Sequence, residues 1–131
     1  MADYTVKNLK EDVDNAAERF GLAPNLEARF TRSALGTKHS GMSYQRYAPN
    51  FRTPFGHRHR EQEEVYVILN GSGKLKLDDE VIDVKQWDAI RVTGPTARGW
   101  QAGPDGLEFI AVGSPIFEES DAEMLPDWWT D

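Results

Sequence analysis

With 131 residues, 39% of them hydrophobic and 11% aromatic, the chain has the length and apolar content for one domain and one core, and no room for a second. Fifteen Lys and Arg against 22 Asp and Glu give a net charge of −7, which disfavours nucleic acid as a partner because phosphate-backbone binding needs clustered positive charge. The absence of cysteine removes disulfides and thiolate metal sites together, so histidines and carboxylates are the strong ligands that remain.

The opening MADYTVKNLKEDVDN has no apolar signal-like core, and no window approaches the ~20 apolar residues that span a bilayer. No membrane partner and a cytoplasmic location are therefore expected. Asn8 can cap a helix with Glu11 and Asp12 in its first turn, Leu9, Val13, Ala16, Ala17 and Phe20 along one face, and Gly21 as a stop. An N-terminal helix and arm over 1–24 follow. After Pro24 the apolar period falls to two, predicting seven strands over 27–32, 42–48, 65–69, 74–77, 81–84, 89–92 and 107–112.

Between these runs lie turn formers: Gly36, Gly41, Pro49, 54–56, 70–73, 78–80, Gly94-Pro95 and 103–106. Short strands at this spacing, without alternating helices, predict an all-β antiparallel sandwich or barrel over 25–116. The acidic tail, 117–131, carries Met124, Leu125, Trp128 and Trp129 and is expected to pack its tryptophans on the outside of the barrel; exposed, they would form a partner patch.

Ligand chemistry concentrates in Gly56-His57-Arg58-His59-Arg60-Glu61-Gln62-Glu63-Glu64-Val65-Tyr66. On a strand, residues i and i+2 point to one face with Cα atoms roughly 6.5–7 Å apart, so His57 and His59 can aim at one point. A carboxylate from a neighbouring strand completes a two-His, one-carboxylate set, which suits Fe(II), Mn(II) or Zn(II) with positions open to water or substrate. The third histidine, His39, falls in the polar turn 36–41 and is expected at the surface.

The order G-H-x-H-x4-E-x6-G, read at Gly56, His57, His59, Glu64 and Gly71, resembles the first motif of the cupin superfamily. Six residues separate Glu64 from Gly71, as that motif requires, whereas Glu63 leaves seven and Glu61 sits too close to His59. The resemblance covers about residues 40–113. It implies a single antiparallel jelly-roll barrel, a pocket for a small-molecule ligand, a metal held by His57, His59 and Glu64, and a homodimer. Cupins include oxygenases, isomerases and decarboxylases, so no reaction type follows.

The second cupin motif, G-D-x4-P-x-G-x2-H-x3-N, aligns poorly. Trp87 stands for its first glycine, Thr93 for its proline, Pro95 for its second glycine, Arg98 for its histidine and Ala102 for its asparagine; Asp88 matches. A guanidinium has no lone pair to give a metal, so a four-ligand site is excluded.

Two readings stay open. In one, three ligands hold a divalent ion; Arg98 at about 5 Å would repel it by roughly 6–7 kcal/mol at an effective dielectric of about 20, and Glu64 offsets about half. The balance favours an anionic ligand bridging the ion and Arg98. In the other, no metal is bound, Arg98 pairs with Glu64, and the chain is a binding or sensor protein whose histidines hydrogen-bond or exchange protons. Arg98 on an exposed loop after Pro95 is a further alternative. Trp100 shares the parity of Arg98 and would line the ligand pocket or belong to the core; Tyr66 and Ile68 share the face of Glu64. On the strand at 42–47, either Tyr44 with Arg46 or Gln45 with Tyr47 faces inward.

Overall fold

The period-two segments after Pro24 form β1 (Leu26–Phe30), β2 (Gly41–Tyr47), β3 (Gly56–His59), β4 (Glu63–Leu77), β5 (Glu80–Lys85), β6 (Ala89–Val92), β7 (Arg98–Ser114) and β8 (Ala122–Leu125), with a one-turn helix α1 (Arg32–Leu35) after β1. The computed structural model describes residues 1–131. Its strands make one curled antiparallel sheet in the order β1-β2-β7-β3-β8, with β4 pairing β7 on one side and β5 and β6 on the other. Of the sandwich or barrel that the strand pattern allowed, the observed architecture is the antiparallel barrel that the motif resemblance implied.

Two of the predicted turns are not chain reversals, so the strands expected at 65–69 and 74–77 are one strand, β4, and eight strands stand where seven were expected because two others were not foreseen. The glycine runs at 70–73 and 103–106 lie inside β4 and β7, where Gly73 pairs with Ala102 and Gly71 with Leu107, so that residues 103–106 bulge out of the ladder. A Cβ on Gly71 would fall 2.1 Å from the Gly106 carbonyl oxygen, and both residues have positive φ (79° and 83°). Glycine is needed here for close backbone approach, not for a hairpin. The strands β3 and β8 are the additional elements.

The core lies between these long strands. Tyr66, Ile68 and Leu75 of β4 meet Trp100, Leu107 and Phe109 of β7, joined by Leu26, Ala28 and Tyr47. Trp100 stacks on Phe109 at 4.5 Å and 26°, and Tyr66 packs edge-on to both at 5.0 and 5.6 Å. Each such pair contributes about 0.5–1.5 kcal/mol beyond its buried area. On β2 the Gln45 and Tyr47 parity is the inward one. Tyr44 lies on the outer face, where the Lys10 ammonium sits 4.5 Å over its ring and its hydroxyl donates to Glu108 at 2.6 Å.

The helix expected from Asn8 to Gly21 is reduced to an Asn8-capped turn followed by a 3-10 helix, Ala16–Glu18. The side chain of Asn15 accepts from the backbone N–H of Ala17 and of Ala28, a local competitor for helical bonding that also ties the segment to β1. Val13, Ala16 and Ala17 are buried as the pattern implied, but Phe20 is 68% exposed. No helix is long and apolar enough to cross a membrane.

The tail is fastened to the barrel. β8 pairs with β3 from Gly56↔Leu125 to His59↔Ala122. The indole of Trp128 lies against Gly56 and Gly99, where an added Cβ would come within 2.6 and 2.4 Å of it. Lys76 caps the other side, its ammonium 4.3 Å from the ring centroid and donating to the Trp128 carbonyl at 2.5 Å. Trp129 Nε1 donates to the Thr53 carbonyl at 2.9 Å.

Candidate metal site

His57 and His59 alternate with Arg58 on β3, so both imidazoles turn to one face while Arg58 points outward to Glu123 of β8. In register, His57 pairs with Arg98 at the start of β7, which carries the guanidinium to the same place. Glu64, near the start of β4, completes the group. One donor atom from each of His57, His59 and Glu64 lies within 4.8 Å of the others.

Glu64 Oε1 is the hub. It accepts the Tyr66 hydroxyl at 2.8 Å and lies 3.4 Å from His57 Nε2, 3.3 Å from His59 Nε2 and 3.6 Å from Arg98 Nη2. Exposure falls steeply across the cluster: the His57 side chain is 29% exposed, Glu64 14%, His59 10% and Arg98 0%. Solvent reaches the site from the His57 side. Arg98 Nη1 and Nη2 donate to the carbonyls of Gly94 at 3.2 Å and Thr93 at 3.4 Å, and its buried Nε has no partner.

His59 is held from behind by Asp121, whose Oδ1 is 2.7 Å from His59 Nδ1 and whose Oδ2 accepts the backbone N–H groups of Glu61 and Gln62 at 2.9 and 3.0 Å. Burial raises the Asp121 carboxyl, but those two N–H donors and His59 outweigh it and hold it at about 2. Burial likewise pushes Glu64 up, yet the hydrogen bonds from His57, His59 and Tyr66 keep it well below the usual carboxylate range. In His59, burial disfavours the cation, whereas the bonds to Glu64 and Asp121 raise the ring's pKa above the ordinary imidazole value. Burial beside Glu64 pushes the Tyr66 phenol far up, so it acts as a neutral donor.

These residues fit a divalent ion. A ring whose Nδ1–H is donated to Asp121 presents a lone pair at Nε2, and a carboxylate oxygen faces it at 3.3 Å. Two acceptors at that distance repel each other, and a cation between them turns the repulsion into attraction. Ligands on metal bonds of about 2.0–2.2 Å at tetrahedral angles lie roughly 3.4 Å apart, close to both imidazole–carboxylate separations. Arg98 cannot coordinate and stays outside the donor set.

The structure brings together His57, His59, Glu64, Tyr66 and Arg98. Arg98 is buried in β7 and not on an exposed loop. Trp100 takes the core position of its two alternatives: it is 2% exposed, stacked on Phe109, with its indole N–H unpartnered. His39 is exposed in its turn, away from the site. Trp87, where the second motif has glycine, is 70% exposed with φ +73°. Asp121 was missed: it is 62 residues from His59 in sequence, and no spacing rule ties the acidic tail to the motif.

No family model matches the chain. An uncharacterised protein of Methanocaldococcus jannaschii is 33% identical over 70 residues, 53% of this chain and 56% of that protein, so the chain spans about half the length of the curated relative it matches. Among solved structures, a cupin protein from Bacteroides fragilis superposes with a TM-score of 0.71 at 21% identity, covering 92% of this chain and 91% of that one. The polyketide cyclase RemF from Streptomyces resistomycificus gives 0.69 at 22% identity, covering 91% and 89%. A predicted oxalate decarboxylase from Thermotoga maritima gives 0.60 at 21%, covering 70% and 81%. At these identities the likeness is one of fold.

Proposed function

We propose that this chain, a protein of cupin fold, binds one divalent metal ion through His57, His59 and Glu64 and takes a small carboxylate-bearing molecule against Arg98, as a metal-dependent enzyme of a reaction class still to be assigned. The observation that carries the reading is the state of Arg98: fully buried, 3.6 Å from Glu64, with Nε unpartnered. A buried guanidinium without a carboxylate hydrogen bond is a costly arrangement, and a ligand carboxylate supplies the missing acceptor in bidentate form.

Charge supports the same reading. With both imidazoles neutral, Arg98, Glu64 and Asp121 sum to one negative charge; a divalent ion turns that into one positive charge, which a monoanion neutralises. The metal, when bound, would supply Lewis-acid polarisation of the ligand. The chain's own groups do the rest. Arg98 would orient the carboxylate, Tyr66 would hold Glu64 through its hydroxyl, and the stacked Trp100 and Phe109 would keep water from the inner wall. The ligand would enter from the His57 side. The solved neighbours include a polyketide cyclase and a predicted oxalate decarboxylase, which supports enzymatic use of the fold.

The test is calorimetric titration of zinc-loaded protein with a panel of small mono- and dicarboxylates. Saturable binding that weakens by about 10-fold or more in Arg98→Gln supports the reading, since a charge-assisted hydrogen bond contributes about 1.5–3 kcal/mol. Equal binding by both proteins overturns it.

A second, metal-free reading has its own support. A protonated His59 between Asp121 and Glu64 balances the cluster with Arg98 and no ion. The chain would then be a ligand-binding or sensor protein. It predicts carboxylate binding that is unchanged by a chelator.

A further inference from the structure

Asp121 lies outside the strand pattern that carries the ligands, yet it is the residue that sets the chemistry of His59. Its side chain is 5% exposed. One oxygen, Oδ2, is committed to two backbone donors, the N–H groups of Glu61 and Gln62 in the loop between β3 and β4. That commitment fixes the other oxygen, Oδ1, at 2.7 Å from His59 Nδ1. The position is further fixed by the pairing of β8 with β3 and by Trp128 seated on Gly56 and Gly99.

Both ring nitrogens face carboxylates, which can only accept, but Asp121 Oδ1 is 2.7 Å from Nδ1 and Glu64 Oε1 is 3.3 Å from Nε2, so a neutral ring places its one proton on the shorter contact, Nδ1, and presents the Nε2 lone pair to the side where Glu64 and His57 converge. We propose that Asp121 is a positioning residue that locks His59 in the Nδ1–H tautomer, making Nε2 available as a ligand. Its use for a metal rests on the function proposed above, whereas the tautomer itself is a property of the metal-free protein.

Asp121→Asn inverts the arrangement. The two backbone N–H groups demand the amide oxygen, which turns the amide NH2 toward Nδ1. Nδ1 must then accept, the ring proton moves to Nε2, and the lone pair is lost to the site. Outer partners of metal-bound histidines of this kind carry about 10–100-fold in metal affinity.

The experiment is nitrogen-15 NMR of the histidine rings in metal-free protein at alkaline pH, with zinc affinity measured by competition with a chelating dye. The native ring is expected as Nδ1–H, and Asp121→Asn as Nε2–H with zinc binding weakened about 10–100-fold and the His57 ring unchanged. An Nε2–H ring in the native protein overturns the inference, as does an Asn variant that keeps both the native tautomer and the native zinc affinity. Should the variant fail to fold, the native spectrum decides alone. Native protein that binds no zinc but carries the His59 proton on Nδ1 removes the metal reading and leaves the positioning role standing.

Discussion

The guanidinium of Arg98 stops 3.6 Å from Glu64 Oε1, beyond hydrogen-bond reach, although both side chains are withdrawn from solvent. The pair is therefore electrostatically coupled without being joined, and Arg98 works against any cation that Glu64 attracts. Removing the positive charge in Arg98→Gln should tighten zinc binding in the absence of carboxylates by at least about 10-fold, since repulsion between these charges amounts to several kcal/mol at an effective dielectric of about 20. Competition titration measures it; unchanged or weaker zinc binding contradicts the electrostatic account.

Glu64 and His57 should separate in stability measurements. Glu64→Ala leaves the buried Arg98 without its opposite charge and the Tyr66 hydroxyl without its acceptor, and should cost about 3–5 kcal/mol. His57→Ala, at the solvent side of the cluster, should cost under about 1 kcal/mol while still abolishing metal binding. Urea unfolding of the two variants is the check, and equal losses would show that Glu64 does not hold the cluster together.

Acid stability should report on the opposite face of the barrel. Glu27 is nearly buried; burial raises its carboxyl, but hydrogen bonds from Lys10, Arg29 and Arg46 outweigh that and lower it from 4.5 to about 2. A carboxyl depressed in the folded state stabilises the protein fully above its unfolded value, and the contribution disappears as pH falls from about 4.5 towards about 2. Stability measured across that window should drop in the native protein and be flatter in Glu27→Gln. Parallel profiles would remove the network from the account.

Trp87 occupies a left-handed backbone conformation, φ +73°, on an exposed turn where its indole buries little. A bulky residue there carries strain that glycine avoids. Trp87→Gly should raise stability by about 1 kcal/mol despite the added freedom of the unfolded chain. A loss measured by urea unfolding would mean that the indole makes a contribution beyond its visible contacts.

Much of this arrangement was legible from residue spacing. The alternation at His57 and His59, with the resemblance of the run to Gly71 to the first cupin motif, located the cluster of His57, His59 and Glu64, and the parity of Glu64 with Tyr66 and Ile68 held through β4. What the spacing could not convey was long-range. Glycines at 71 and 106 read as turns because a close crossing of two backbones demands the same residue as a reversal does. Asn8 and the apolar face after it read as a helix, since nothing local showed that Asn15 would bond to Ala28 of β1 instead. Asp121 was illegible for the same reason: its partner, His59, is set by the pairing of β8 with β3 and not by any local pattern.

His57, His59 and Glu64 are proposed to hold one divalent ion beside Arg98. Elemental analysis of protein loaded in turn with Fe(II), Mn(II) and Zn(II) and then desalted tests it most directly. About one ion per chain is expected for at least one of these metals, lost in His57→Ala, His59→Ala and Glu64→Ala alike. Metal content near zero for all three, or content that survives those substitutions, would contradict it.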